Sequence, residues 1–408
     1  MKKSTGSERL RTRLQVAVFA VPLVLQVLLP VSARGQEGPE SRHEDDLPVA
    51  TLVEVLELDL TEAPITRRVP NLVESPDGTV FVVGSTEVLV FDPDGAYRGE
   101  IGRQGDGPGE FRSLTGLGMH GDTLWTGDAM SGRVTRFLSD GSLLEIITPP
   151  PSVRGVPSFL TLAVDGSVVG NPLSMMTPGA SSSPPRTVWW RWGRAEGSDA
   201  GVADTLISMV IRNSLMNIEA RGGTRPLPQP FVEQEFVAVA GTEPYALAAH
   251  ALGEEDDGLI VVERLHFDGA RDTAVAVRYR PRRITSEDVD GVVDRMGRVL
   301  STPFGAPEMA ARPTPDIARQ LRRTIDVPDH HPPLTDLVQG SGGGIWIGRE
   351  SSASRRNWLI AQEGVGAVAR ITLADYQRPL AATDGHVWLL EPGAFDLPRI
   401  VKYRIDTP

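Results

Sequence analysis

The chain is 408 residues long, 40% hydrophobic and 23% charged, with 42 glycines, 33 prolines and no cysteine. That composition excludes disorder, collagen-like repeats and a polytopic membrane protein. The missing cysteine excludes disulfides, iron–sulfur clusters, Cys-type zinc sites and a lipid-attachment cysteine. A formal net charge of −12 opposes phosphate backbones and anionic lipid, which argues against a nucleic-acid partner.

In chain order, Lys2, Lys3, Arg9, Arg11 and Arg13 form a basic leader before an apolar run from Leu14 to Leu29. Pro30 breaks that run, and Val31-Ser32-Ala33 offers a small-residue cleavage site. Gln15, Pro22 and Gln26 make the run a poor stable span, so residues 1–33 are predicted to be a cleaved export signal. The mature product is then periplasmic or extracellular. Losing five basic residues and Glu8 takes its net charge to about −16. Residues 34–48, polar and acidic, read as a linker.

From residue 49 short apolar runs alternate with Asp-Gly and related turns, and helical periodicity is nearly absent before residue 285. One unit recurs. A first strand ends in a turn such as Asp77-Gly78, Asp165-Gly166 or Asp384-Gly385, and a second strand follows at once. A third strand ends in a turn such as Asp94-Gly95, Asp140-Gly141 or Asp268-Gly269, and a fourth runs outward. Second strands aligned on Phe81, Trp125, Val168, Ala246, Trp346 and Trp388 are 44, 43, 78, 100 and 42 residues apart. Three of these spacings match a four-stranded propeller blade of roughly 40–45 residues; the two long ones hold insertions. The prediction is an all-β, six-bladed β-propeller over residues 49–408. Its sixth blade runs out of chain after Arg399 to Ile405, so Thr51 to Leu60 supplies the missing outer strand and closes the ring. Trp125, Trp346 and Trp388 are expected in the core between blades.

Residues 283–332 are the one helical insertion, with helices expected near 285–326. Thr285 or Ser286 can cap a helix whose apolar positions are Val289, Val292, Val293, Met296 and Leu300. Thr314-Pro315 starts a second, with Ile317, Leu321 and Ile325 on one stripe. The pair reads as a cover for one channel mouth, or as a lid or docking surface.

Ile101-Gly102-Arg103-Gln104-Gly105-Asp106-Gly107-Pro108-Gly109-Glu110-Phe111 is followed by Leu124-Trp125-Thr126-Gly127-Asp128 and Gly132-Arg133-Val134-Thr135-Arg136-Phe137. This resembles the glycine-rich, GEF-containing blade junction of NHL-type, six-bladed bacterial propellers with export signals. The match covers residues 71–147, and the other blades follow by pattern only. The resemblance implies the fold; the family carries no single activity, so no catalytic residue is carried over.

Strands in a blade alternate direction, so second-to-third and fourth-to-first connections leave the same face. The elaborate segments 102–111, 171–186, 212–230 and 283–332 all fall in those classes, which marks one binding face. Its six junction loops sum to about +4 against about −20 for the rest of the mature chain. An anionic partner is expected there, met by Arg103, Arg221, Arg225, Arg322 and Arg323. A second candidate ring follows each second strand: Ser85, Asp128, Asn171, His250, Arg349 with Glu350, and Glu391. Such a ring at the channel mouth would bind a small ligand or an ion.

Catalytic motifs are missing. There is no Gly-x-Ser-x-Gly elbow, and the glycine-rich loop lacks the Gly-Lys-Ser/Thr of a phosphate loop. His330-His331 sits in a Pro-flanked loop, where solvent exposure is the expectation and a single metal ligand the alternative. The expected function is therefore a noncatalytic, monomeric binding propeller of the bacterial envelope or exterior, without a cofactor and without a membrane span after cleavage. Its ligand would be a protein, peptide or glycan. The alternative is a metal-dependent hydrolase or lactonase of the gluconolactonase-like type, with Asp128, Asn171, Glu350 and Glu391 around a divalent ion.

Overall fold

Short β-branched and aromatic runs such as Val80–Val83 and Val88–Phe91 are buried along their whole length, as strands covered on both faces must be. The computed structural model describes residues 41–64, 71–150, 157–172, 186–193, 202–210, 215–220, 223–254, 257–301, 313–351, 355–374, 377–383, 385–393 and 398–408. The expected export signal lies outside them. Six sheets form blades one to six of a six-bladed β-propeller: 72–101, 114–147, 157–210, 236–279 and 336–374 each hold the four antiparallel strands of one blade, while 378–406 holds three strands of blade six and Thr51–Glu57 supplies the fourth. The Asp-Gly turns close by a shared device. At Asp77-Gly78 the aspartate accepts the Thr79 N–H at 3.1 Å while Gly78 takes φ +87°, a left-handed conformation that only glycine adopts without strain.

Ring closure occurs as the strand count requires. Thr51–Glu57 pairs antiparallel with Pro398–Asp406, with Thr51 opposite Asp406 and Leu52 opposite Ile405. The tryptophans pack between blades. Trp125 meets Leu160, Val168 and Trp190 of blade three; Trp346 meets Ala382 and Leu389 of blade six; and Trp388 meets Leu72 and Val80 of blade one.

The segment read as a linker is built in from Arg42 onward. Arg42–His43 adds a parallel strand to the edge of blade four, Leu47 is buried, and Arg370 of blade five exchanges backbone hydrogen bonds with Pro48 and Ala50. Polarity misleads there because the segment lies on sheet edges, whose unpaired backbone groups hold it.

The helical insertion is joined by a second long connection. Residues 215–228, expected as loop, form a hairpin of Leu215–Ala220 with Gly223–Pro228. Its Met216 and Ile218 share a core with Val292, Val293 and Leu300 of the longer helix, Ser286–Ser301, and with Ile317 and Leu321 of the shorter, Pro315–Thr324. Both expected caps form. Thr285 and Asp288 bond reciprocally, and the Thr314 hydroxyl accepts the Ile317 N–H.

Candidate functional site

Among the described residues, every long connection leaves the face carrying the second-to-third and fourth-to-first loops. On the opposite face the first-to-second and third-to-fourth turns are tight, at Asp77-Gly78, Asp140-Gly141 and Asp268-Gly269 for example. Two constructions stand on the elaborated face.

The first is the glycine-rich loop between blades one and two, which is a rigid knot. Phe111 is buried against Phe81 and Phe137, and a side chain at Gly102 (φ +84°) would collide with the Phe111 ring. The Glu110 carboxylate accepts the Gly107 N–H at 2.8 Å and the Arg103 guanidinium at 2.8 and 3.0 Å. Those bonds hold its pKa below the usual glutamate range. Arg133 donates to the carbonyls of Asp106, Gly107 and Glu110. The second construction is the hairpin–helix insertion, which carries Arg225, Arg322 and Arg323.

The structure therefore brings Arg225, Arg322 and Arg323 onto one subdomain and leaves Arg103 on another junction; Arg221 lies outside the described residues. Charge on this face is largely spent in local ion pairs. Arg103 is paired with Glu110, Arg322 with Asp290, Arg319 with Asp316 and Arg298 with Asp294. Arg323 is exposed at the end of the shorter helix.

The second ring does not reach the channel. A central cavity of about 490 Å³ is lined by the inner strands, by Val73, Leu117, Phe159, Val237, Val338 and Ala381 from blades one to six in turn. Asp128, Asn171, Arg349 and Glu391 stand on second strands, one strand spacing of about 4.8 Å further from the axis. Asp128 is fully buried. Its Oδ2 accepts the Arg112 N–H at 2.9 Å, and its Oδ1 accepts those of Ser113, Met130 and Ser131 at 3.0–3.1 Å. Asn171 accepts from the Thr187 hydroxyl at 2.8 Å. Glu391 accepts from Gln377 at 2.7 Å and Tyr403 at 2.9 Å, with Arg399 at 3.4 Å. Arg349, 1% exposed, grips Glu44 at 2.7 and 3.0 Å and stacks 4.4 Å above the Tyr279 ring; it fastens the amino-terminal strap. The side chain of Glu350 lies outside the described residues. Among the described residues no group of three or more His, Asp or Glu is placed to hold a metal ion, and no helix is long and apolar enough to cross a membrane.

One cluster escaped the sequence. His331, expected in solvent, is buried, and its Nε2 lies 3.2 Å from Asp288 Oδ2 and 2.7 Å from Arg282 Nη2. The sequence offered Thr285 or Ser286 as a helix cap, but nothing local tied Asp288 or His331 to it.

Residues 49–149 match a family model, DUF5128, described as a 6-bladed beta-propeller. No curated protein matches the chain in sequence. Among solved structures, a member of the DUF4221 family from Bacteroides vulgatus aligns at 8% identity and TM-score 0.51, over 89% of this chain and 100% of that one. A protein described as exported, from Bacteroides fragilis, aligns at 11% and 0.49 over 90% and 99%. A gluconolactonase from Xanthomonas campestris aligns at 12% and 0.39 over 92% and 99%. The likeness is one of fold, and the fold is a six-bladed propeller.

Proposed function

We propose that this propeller is a noncatalytic binding module of the bacterial envelope or exterior, exported under residues 1–33 and akin to NHL-type propellers. Its ligand, a protein, peptide or glycan, docks on the elaborated face. The observation that carries this reading is the asymmetry of the two faces: a braced glycine-rich knot and a separately cored insertion stand on one, and tight turns on the other. Long connections on a rigid scaffold are where proteins place recognition. The hydrogen bonds already made by Asp128, Asn171 and Glu391 favour binding over metal-assisted hydrolysis. An anionic partner would meet Arg323, since Arg103 and Arg322 already hold Glu110 and Asp290.

The chain has no cysteine, so single cysteines can carry a photo-crosslinker at chosen points. Met130→Cys and Leu252→Cys place it on the elaborated face at positions 62% and 52% exposed, and Val164→Cys and Val365→Cys place it on the other. A partner from envelope extract is expected to crosslink from the first pair and not the second. Equal capture from both faces, or capture from Val164→Cys and Val365→Cys alone, would overturn the reading.

A further inference from the structure

A cavity of about 360 Å³ opens at the seam where the insertion meets the propeller, a size within the range of roughly 300–1,000 Å³ for small-ligand sites. Three stretches build it: Phe231 and Gln234 after the hairpin, Asp288, Arg295 and Met296 on the longer helix, and His331 on the return to blade five. The insertion alone creates this cavity, which is separate from the central channel.

Two buried ionisable side chains line the cavity. Asp288 and His331 are 6% and 7% exposed. The capping role of Asp288 uses Oδ2, which accepts the Thr285 N–H and hydroxyl at 2.9 and 2.7 Å. Oδ1 meets Arg282 Nη2 at 3.3 Å, a long bond that leaves a carboxylate oxygen with acceptor capacity to spare. A buried charge is costly unless its bonds are completed. The core that joins the hairpin to the two helices of the same insertion is built on apolar residues such as Met216, Ile218 and Leu321.

The lining selects the guest. A wholly apolar molecule would strip water from Oδ1 and give nothing back. An anion would face the Asp288 carboxylate, and a cation would face Arg295. A neutral ring with an apolar C–H face and hydroxyl donors at its edge satisfies both kinds of wall. We propose that the cavity binds one neutral pyranose ring, free or terminal on a glycan. A ring hydroxyl donates to Asp288 Oδ1 and the C–H face lies against Phe231 and Met296. This deepens the elaborated-face reading and rests on it.

Saturation-transfer NMR and calorimetry on the purified chain test the assignment. The probes are glucose, galactose, mannose and N-acetylglucosamine, each free and as the end of a trisaccharide, with glucuronate and glucosamine as charged controls. At least one neutral sugar is expected to bind ten-fold or more tightly than either control. Met296→Trp on the longer helix and Gln234→Trp after the hairpin, both lining the cavity, should each weaken it at least ten-fold, so misfolding of one variant leaves the other informative. Tighter binding of the trisaccharide identifies a glycan terminus, and equal binding a free sugar. Binding of no neutral sugar by the folded chain overturns the assignment. So does sugar binding that both filled variants retain; if a label at Met130→Cys then blocks that binding, the elaborated face survives and only the cavity is lost.

Discussion

At Asp128 a single carboxylate satisfies four backbone N–H groups contributed by two segments, Arg112-Ser113 and Met130-Ser131. An unpaired buried donor costs about 1–3 kcal/mol. Asp128→Ala is therefore expected to lower the unfolding free energy by about 3 kcal/mol or more, and Asp128→Asn, which keeps one acceptor oxygen, by less. Urea unfolding with and without chelator measures both. A chelator-dependent loss in the parent chain, or equal losses in the two variants, would show that the carboxylate serves something other than those donors. The sequence made Asp128 conspicuous without revealing its role, because an aspartate after a strand reads equally as an ion ligand or a local cap. The deciding partners, Arg112 and Ser113, stand 16 and 15 residues earlier, just before the first strand of blade two. Arg349 was obscured in the same way, since its partner Glu44 lies 305 residues away.

Elements were legible where their signals are local and hidden where support is borrowed. Thr314-Pro315 announces a helix start by itself. The 215–228 hairpin does not, because Pro226 and Pro228 argue against a strand and the hairpin is held by helices about 70–110 residues onward. The insertion also carries a pH dependence. Burial pushes the Asp288 carboxyl up, but bonds from the Thr285 N–H and hydroxyl, His331 and Arg282 outweigh burial and hold it well below the usual carboxylate range. A depressed folded-state pKa stabilises above the unfolded value, and that stabilisation is lost as pH falls through the folded value. The stability gap between the parent chain and Asp288→Asn should accordingly be widest near neutrality and narrow below about pH 4. Comparison with the variant cancels the other carboxylates that titrate in acid. A gap that stays constant from pH 7 to pH 2 would mean that the Thr285–Asp288–His331 contacts do not depend on ionised Asp288.

For the whole molecule, the ring was legible through counting alone: a surplus strand at one end of the repeat and a deficit at the other can only be reconciled by closure. The strand pairs recur in every blade, so losing one signal left five others. Function lacked that redundancy, because the insertion occurs once. Closure is also the place where the ring has least covalent support, since Thr51–Glu57 and Pro398–Asp406 are joined through more than 300 residues of chain. A Thr51→Cys/Asp406→Cys staple joins directly opposed residues, with no native cysteine to compete. A cross-link that closes so long a loop restricts the unfolded ensemble by up to about 5 kcal/mol. The oxidised form is therefore expected to unfold several degrees above the same protein after reduction. If the propeller opens first at the sixth blade, the staple should also slow unfolding, because that contact must break before the transition state forms. Equal unfolding rates in both redox states would place the first opening away from the sixth blade, and equal unfolding temperatures would mean that the staple does not restrict the unfolded chain.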